Sequence, residues 1–542
     1  MESLRTCVLP EGKFAYGIHS PAFRVKNLRQ SDRIYNLGVF EDGKHCGNRV
    51  NFPEGDIEVS SADAVFEIPN AFPFRGVTYI NSRWADENAK DPQGMIRLPE
   101  APEVSFSSVM SEWAGGKNLS SNEKIRMLQA LPEPLQLALA KTGTDPDDLV
   151  CLARIACEFL INRESGRPEG LLYTRDQEGK SRANVYNHTL FEVVANNPYL
   201  PEDYREAMVL RPGVQGANPV SAEYKSDDGQ CHVYEYLRCN SYIPWGHYAA
   251  NMAEDSIRYS IEELTAADMR GMRHLYYQRT YVRLAGELGI EVQADRRQMA
   301  EDEMEDLRCR VMEALADEEK REKLFFNRTL WGWNYGFDYA PTRYRLHASH
   351  QQIHQQYAMI PRSVSSASGM AKDMPSYAVG DLVEKFVLQY EAQNGVCFFD
   401  AYIVAIENNR RIDGSGEGQN SLIVHSDENV IAFAPKAQTS QWELQVMSRK
   451  PVGNIAEADT AVRRSLDEAI LRGAKALCRL GAKMITFYEI SKRIDSVYNH
   501  QRLIYTILPR LPESPGAFSE TQCRWINGHY PEDFAAACRS VV

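Results

Sequence analysis

The sequence predicts an α+β fold made of two duplicated halves, each an antiparallel sheet with packed helices, preceded by a mixed N-terminal extension. A strand–turn–strand–helix–strand order occurs twice, beginning near residue 232. The two copies end in nearly the same six residues, at 357–362 and 505–510. Helix candidates also place their apolar residues on one face. We predict boundaries at 1–145 for the extension, 146–365 for the first half and 375–542 for the second.

The N-terminal extension carries little information about function. It is rich in Gly, Pro, Asn and short β-type runs such as 77–80, and it contains no motif that indicates a chemistry. Residues 146–162 have a helical pattern, for which Asp147 or Asp148 is a candidate N-cap. We therefore expect irregular mixed structure followed by a helix.

The first copy starts with candidate strands at 232–237 and 247–252. Thr265, followed three residues later by Asp268, has the pattern of a capping box and predicts a helix that runs to about Gly289. A closing strand then completes the copy, with its proline near the end, where no N–H is needed for the ladder.

The second copy repeats this order, with candidate strands at 430–434, 442–447 and 482–490 and a helix that stops at Gly481. Within the first half, the charged segment 291–324 looks inserted and predicts a surface helix packed by a single apolar stripe. That stripe comprises Met304, Leu307, Val311 and Leu315.

The composition is typical of a soluble globular protein, with 43% hydrophobic and 25% charged residues. No apolar run approaches the ~18 residues that span a bilayer, and the first residues form no signal-peptide core, so we expect a cytoplasmic protein without a membrane segment. Eleven dispersed cysteines without a C-x-x-C pair indicate reduced thiols and argue against a cysteine-based zinc site. A net charge of −13 argues against nucleic-acid binding but is compatible with small phosphorylated ligands.

The densest polar cluster of the chain is the segment 347–356. On a strand, side chains alternate, so Gln352, His354 and Gln356 would share one face. A neutral imidazole can attack an α-phosphate, and a neighbouring amide can donate to the phosphoryl oxygens as negative charge builds. The amide also stays neutral beside a cationic phospho-imidazole. This combination indicates transfer through a covalent histidine.

The same segment resembles the G-A-S-x-x-H-x-H-x-Q motif of galactose-1-phosphate uridylyltransferases, in the histidine-triad superfamily, whose related dinucleotide phosphorylases end in H-x-H-x-Q. Residues 348–356 align with it without a gap. The resemblance implies that His354 is the nucleophile and that Gln356 holds the nucleotidyl phosphate. It implies phosphate contacts for Ser349 and for Asn334 of an Asn-x-Gly motif, and it covers approximately residues 220–515.

The chain departs from the family pattern at several positions. Gln352 replaces the first histidine, and the C-x-x-C pair that joins it in a structural zinc site is missing, so we expect no metal and no cofactor. In the second copy Arg502 and Ile504 occupy the positions of the nucleophile and the glutamine, so we expect this copy to be catalytically silent. Gln352 and His350 remain candidate substrate-binding residues together with Ser349 and Asn334.

Two other interpretations of the segment stay open. The spacing of His350 and His354 equals that of the helical zinc motif H-E-x-x-H, but Gln351 cannot accept a proton as a general base. The loss of the first histidine also allows a non-catalytic nucleotide-binding protein on the same scaffold. Assaying turnover during nucleotide titration separates binding from catalysis.

The function we expect is a two-step nucleotidyl transfer, uridylyltransferase-like or phosphorolytic. The substrate would be a nucleoside diphosphate sugar or a dinucleotide, and the acceptor a sugar phosphate, inorganic phosphate or water. The resemblance further implies a possible homodimer, since members of the family commonly dimerise.

Overall fold

A computed structural model of the chain describes residues 5–20, 22–29, 35–116, 118–175, 177, 179, 181–208, 260–292, 298–336, 338–340, 353–364, 373–510 and 516–542. At residues 182, 354, 364 and 374 it describes the backbone alone. The predicted strands at 232–237 and 247–252 therefore lie outside the described residues.

The N-terminal part combines short strands with helices, as the sequence predicts. Its elements are β1 (Val8–Leu9), β2 (Lys13–Phe14), β3 (Gly17–His19), β4 (Phe23–Val25), β5 (Asn36–Val39), β6 (His45–Gly47), β7 (Ile57–Val59), β8 (Val65–Pro69), β9 (Val77–Asn81), α1 (Ser82–Ala89), α2 (Pro92–Met95) and α3 (Phe106–Trp113).

A mainly helical region follows, with its own apolar core. Its elements are α4 (Ser121–Ala130), α5 (Glu133–Thr142), α6 (Pro146–Ala156), β10 (Phe159–Ile161), β11 (Pro168–Leu171), β12 (Tyr173–Arg175), β13 (Ser181–Ala183), α7 (His188–Ala195) and α8 (Glu202–Ala207).

The helix predicted over 146–162 begins at Pro146 as expected, but its N-cap and its C-terminal end differ from the prediction. Asp145 is the N-cap, and its carboxylate accepts from the main-chain N–H groups of Asp147 and Asp148. Pro146 at the first helical position fixes this start, because its missing N–H would have no partner there. At the other end Cys157 is extended, and the chain continues as β10, which pairs with β11.

The remaining elements form the main sheet and the helices around it. They are α9 (Ala266–Glu287), α10 (Glu301–Leu315), α11 (Glu318–Glu322), β14 (Phe326–Tyr335), β15 (Ile353–Pro361), β16 (Ser363–Val364), β17 (Met374–Pro375), α12 (Val379–Asn394), α13 (Phe398–Glu407), β18 (Ile423–Ser426), β19 (Val430–Phe433), β20 (Leu444–Ser448), α14 (Thr460–Arg479), β21 (Ile485–Ile490), β22 (Ile504–Pro509), α15 (Ala517–Thr521), β23 (Arg524–Asn527) and α16 (Pro531–Ser540).

Local patterns predicted several of these elements. Thr265 and Asp268 form the expected capping box at the start of α9. The buried residues of α10 are the four of the predicted stripe. Both closing strands, β15 and β22, end in proline as expected.

The main sheet has seven strands among the described residues, in the order β15-β14-β21-β22-β20-β19-β18, and all pairings are antiparallel. The first half contributes β14 and β15, and β14 pairs with β21 of the second half. The order helix–strand–strand occurs as α9, β14, β15, with α10 and α11 inserted after α9, and again as α14, β21, β22. The full duplication stays a prediction, because the other strands of the first copy lie outside the described residues.

Different layers cover the two faces of this sheet. Residues of α9, α10 and α14 pack on one face, against Trp331, Phe487 and Tyr505. On the other face, residues of β8, β9, α12 and α13 pack against Phe433 and Met447. The N-terminal part is thus joined to the second half, and β9 also pairs in parallel with β23.

The described part of the chain contains no helix whose length and hydropathy would suit a membrane span.

Candidate functional site

The described end of the predicted catalytic segment, residues 353–356, lies in β15, at the edge of the main sheet as far as its strands are described. In β15, residue 354 pairs with Asn334 of β14. Asn334 pairs in turn with Thr486 of β21, and Thr486 pairs with Leu508 of β22. Paired residues of antiparallel strands share a face, so the register aligns these four positions across one end of the sheet.

The Gln355 side chain shows, through its hydrogen bonds, which face of the main sheet each position of β15 belongs to. Its Oε1 accepts from Trp331 Nε1 at 2.9 Å, and its Nε2 donates to the carbonyl of Met272 in α9 at 3.0 Å. Position 355 therefore faces the helices. Because side chains alternate along a strand, positions 354 and 356 belong to the opposite face, and Gln356 is exposed there.

The strand β14 ends at a position that requires glycine. Gly336 has φ +86°, and a Cβ atom there would lie 1.9 Å from the carbonyl oxygen of Lys483. A side chain would thus clash with the backbone that leads into β21. The close approach explains locally why an Asn334-x-Gly336 sequence occurs here, and it keeps Asn334 next to position 354 at the strand end.

Polar groups continue along the same face into the second half. Gln356 is aligned with Gly332, Tyr488 and Thr506 on successive strands. Gly332 and Tyr488 are half-buried, whereas Thr506 is fully buried. Among the described residues, this open face is thus exposed at β15, half-buried at β14 and the start of β21, and buried at β20.

Arg75 of the N-terminal part borders this open face. Its Nη2 donates to Tyr488 Oη at 3.2 Å and to Thr439 Oγ1 at 2.9 Å. Its Nη1 forms an ion pair with Glu443 Oε1 at 2.8 Å. Because the Arg75 and Glu443 side chains are 8% and 0% exposed, this ion pair is buried at the border of the open face.

The sequence did not indicate that three residues border this face: Thr486, Tyr488 and Arg75. They lie in separate parts of the chain, and no local motif links them. Arg510 was also missed as a site residue, although it belongs to the repeated six residues; its Nε donates to Thr486 Oγ1 at 3.1 Å. The repeat was the signal that could have found it.

A buried polar network supports the site from the helix side. Arg273 Nε donates to Asp467 Oδ1 at 2.5 Å and its Nη2 donates to Tyr505 Oη at 2.8 Å. Glu489 accepts from Tyr276 at 2.8 Å and from Tyr505 at 2.6 Å. Burial raises the pKa of Asp467 to about 6, against the opposing charge of Arg273. These bonds tie α9 and α14 to β21 and β22.

A cavity of about 560 Å³ lies on this helix side, between α9, α10 and α14. It is separated from positions 354 and 356 by the sheet. Two of its three arginines have acidic partners: Arg463 pairs with Glu305 at 2.8 Å and Arg464 with Glu301 at 2.5 Å. Because the sheet lies between the cavity and residue 354, the cavity is not the predicted phosphate site.

In the predicted second copy, the position that matches His354 lies just before the start of β22. Arg502 lies there, with its Nη2 at 3.0 Å from Asp400 Oδ1, and burial lowers the pKa of its guanidinium. Ile504 is fully buried. His500 is exposed and lies beside Tyr498, with ring centroids 5.7 Å apart.

Not all predicted site residues can be located. Ser349, His350 and Gln352 lie outside the described residues, and for His354 the backbone alone is described. The roles of the predicted residues thus stay predictions. Within the described ranges, no three His, Cys, Asp or Glu residues form a group that could hold a metal ion.

No family model and no curated protein matches the chain. A galt-like protein from Arabidopsis thaliana matches with 13% identity and a TM-score of 0.31, over 44% of this chain and 68% of that one. An ADP-glucose phosphorylase from Arabidopsis thaliana with bound ADP-glucose matches with 14% identity and a TM-score of 0.31, over 44% and 66%. A Hit-like protein from Bartonella henselae matches with 22% identity and a TM-score of 0.17, over 25% and 98%. The chain is thus similar, at low identity and over part of its length, to structures whose names match the family that its motif resembles. TM-scores of this size add no weight to an argument about function.

Proposed function

We propose that the chain is a nucleotidyltransferase that acts through a nucleotidyl-histidine at His354. The observation that carries the proposal is the register at the edge of the main sheet. Residue 354 lies in a strand directly opposite Asn334, and Gln356 is exposed two positions further on the same face. At that end of the face Gln356 is exposed and Asn334 and Thr486 are only half-buried, which supports a nucleotide site there.

In the proposed first step, a neutral imidazole nitrogen of His354 attacks the α-phosphorus of a nucleoside diphosphate sugar or a dinucleotide. A P–N bond forms and the bridging P–O bond breaks. The electron pair stays on the oxygen of the leaving phosphate, and the ring carries the positive charge. In the second step a sugar phosphate, inorganic phosphate or water attacks the same phosphorus and releases the imidazole.

The neighbouring amides suit the charge that develops in both steps. Gln356 and Asn334 can donate N–H groups to the phosphoryl oxygens, which become more negative in the transition state. Neither amide takes a proton from the cationic intermediate, because both stay neutral. Ser349, Gln352 and His350 are proposed as substrate contacts from the motif alone.

The first test is mass spectrometry of the protein after exposure to a panel of nucleotide sugars and dinucleotides. We expect a nucleotidyl mass increment on the peptide that contains His354, which also identifies the nucleotide. His354→Ala should lose both the increment and turnover, because the variant has no imidazole at the position of the proposed nucleophile. His45→Ala, at an exposed histidine of β6, is the matched control. Wild-type turnover in His354→Ala would reject the proposal.

A zinc peptidase fits the structure less well. The i, i+4 spacing of two histidines brings them together only on a helix, whereas residues 353–361 are extended. The non-catalytic alternative is favoured by one observation, the replacement of the family's first histidine by Gln352. Nucleotide binding by wild-type protein without any mass increment or turnover would select it.

A further inference from the structure

Arg510 directly follows the closing strand of the second copy and turns back over the open face. Its main-chain N–H donates to the carbonyl of Met484 at 2.8 Å, and its Nε donates to Thr486 Oγ1 at 3.1 Å. Thr486 lies opposite Asn334, which lies opposite residue 354. The guanidinium is therefore at the same end and on the same face of the sheet as the proposed nucleophile.

The separation suits a bound phosphate. Neighbouring strands lie about 4.8 Å apart, and residue 354 and Thr486 are two strands apart. Their Cα atoms are therefore separated by roughly 10 Å. Arg510 extends from the side of Thr486. The space between its guanidinium and an α-phosphate bound at residue 354 therefore suits one further phosphate group.

Arg510 differs from the matching arginine of the first copy. Arg362 has an acidic partner, Asp495 at 3.0 Å, and also donates to the carbonyl of Arg321 at 2.8 Å. Arg510 is exposed, and among the described residues no carboxylate forms an ion pair with it. Its terminal N–H groups remain able to bind a phosphate in the bidentate manner that arginine favours.

We propose that Arg510 binds the second phosphate of the reaction, which leaves in the first step and is carried by a phosphorylated acceptor in the second. This inference rests on the proposed function. The ligand class is a phosphate monoester, such as a sugar phosphate, or inorganic phosphate. The second copy, which has no nucleophile of its own, thus contributes an anion site to the catalytic strand of the first.

The test compares two substrates that share the nucleotide found to label the protein. One is the diphosphate substrate, whose leaving group is a phosphate, and the other is the p-nitrophenyl ester of the nucleoside monophosphate, whose leaving group carries none. Arg510→Ala should lower kcat/KM for the diphosphate by about 10–100-fold, since a charge-assisted bidentate contact is lost. With the p-nitrophenyl ester, kcat/KM should change by less than about threefold, because that leaving group makes no such contact. Arg510→Lys should fall between wild type and Arg510→Ala for the diphosphate, because it keeps the charge and loses the fork.

Arg472→Ala is the matched control, since Arg472 is an exposed arginine of α14 paired with Glu468; both rates should stay at wild-type values. Equal losses with both substrates in Arg510→Ala, or no loss with either, would overturn the role of Arg510 while labelling of His354 leaves the proposed function intact. Failure of both substrates to label the wild-type protein would overturn both.

Discussion

Gln355 and Gln356 are adjacent amides that the strand turns to opposite sides of the sheet. Gln355 is bonded to Trp331 and Met272 on the helix side, and Gln356 is exposed on the open face. Sequence alternation alone was sufficient to assign Gln356 to the face of residue 354. It gave no reason to expect a structural role for Gln355, because its partner Met272 lies on a helix far away in the chain.

These two glutamines yield a prediction in which one substitution lowers activity and the other lowers stability. Gln356→Ala should lower turnover by about 10²–10³-fold, by analogy with the loss of one oxyanion donor, and leave the Tm unchanged. Gln355→Ala should lower the Tm instead, because it leaves the indole N–H of Trp331 and the carbonyl of Met272 without their partner. Turnover assays and thermal unfolding on both variants check this, and a Tm loss in Gln356→Ala equal to that in Gln355→Ala would contradict it.

At the scale of elements, helix ends and strand alternation were predictable because they depend on neighbours in sequence. The capping box of Thr265 and the stripe of α10 are of this kind. The start of α6 at residue 146 was predicted but its N-cap was not, since Asp145, Asp147 and Asp148 all have capping chemistry and only the position of Pro146 decides among them. Strand partners were not predictable, because they depend on contacts between distant segments.

The end of β14 allows a test at this scale. Gly336→Ala combines a positive φ with a Cβ contact of 1.9 Å to backbone, whereas Gly289→Ala, at φ +70°, meets nothing within 4 Å. We expect Gly289→Ala to lower the free energy of unfolding by about 1 kcal/mol through strain alone. Gly336→Ala should cost at least about twice that, since the carbonyl of Lys483 must move. Urea denaturation of both variants measures their free energies of unfolding. Equal losses would show that the backbone at the end of β14 shifts without an added free-energy penalty.

At the scale of the molecule, the joining of the N-terminal part to the second half was not foreseen. Arg75 reaches Tyr488, and β9 pairs with β23, across more than 400 residues of chain. No composition shift or motif in the sequence indicates such a contact. From the sequence, the N-terminal part was an extension of unknown role, whereas in the structure it covers the main sheet and borders the open face.

The C-terminal end of this assembly predicts a pH dependence. His529 is buried beside Phe534, and burial lowers the pKa of its imidazole to about 4. An unfolded histidine has a pKa near 6.5, so the unfolded chain takes up the proton first. The stability that the neutral ring provides is therefore complete above about pH 6.5 and is lost as the pH falls towards 4.

We expect this term to amount to at most about 3 kcal/mol over that window. His529→Gln, which cannot gain the charge, should lack it, whereas His45→Gln at an exposed position should behave as wild type. Urea midpoints between pH 7 and pH 4.5 measure the difference between wild type and variant. A difference that does not vary with pH would contradict the assignment.

The pairing of β14 with β21 has a consequence for synthesis on the ribosome. The two strands are separated by about 150 residues of chain, so β14 and β15 leave the exit tunnel long before the inner neighbour of β14 has been translated. Until then the side of Trp331 that contacts Tyr505 and one row of main-chain donors and acceptors have no cover. A nascent chain stalled before residue 485 should accordingly be held by chaperones and be cut readily by protease, and one that extends past residue 510 should gain protection over residues 326–335.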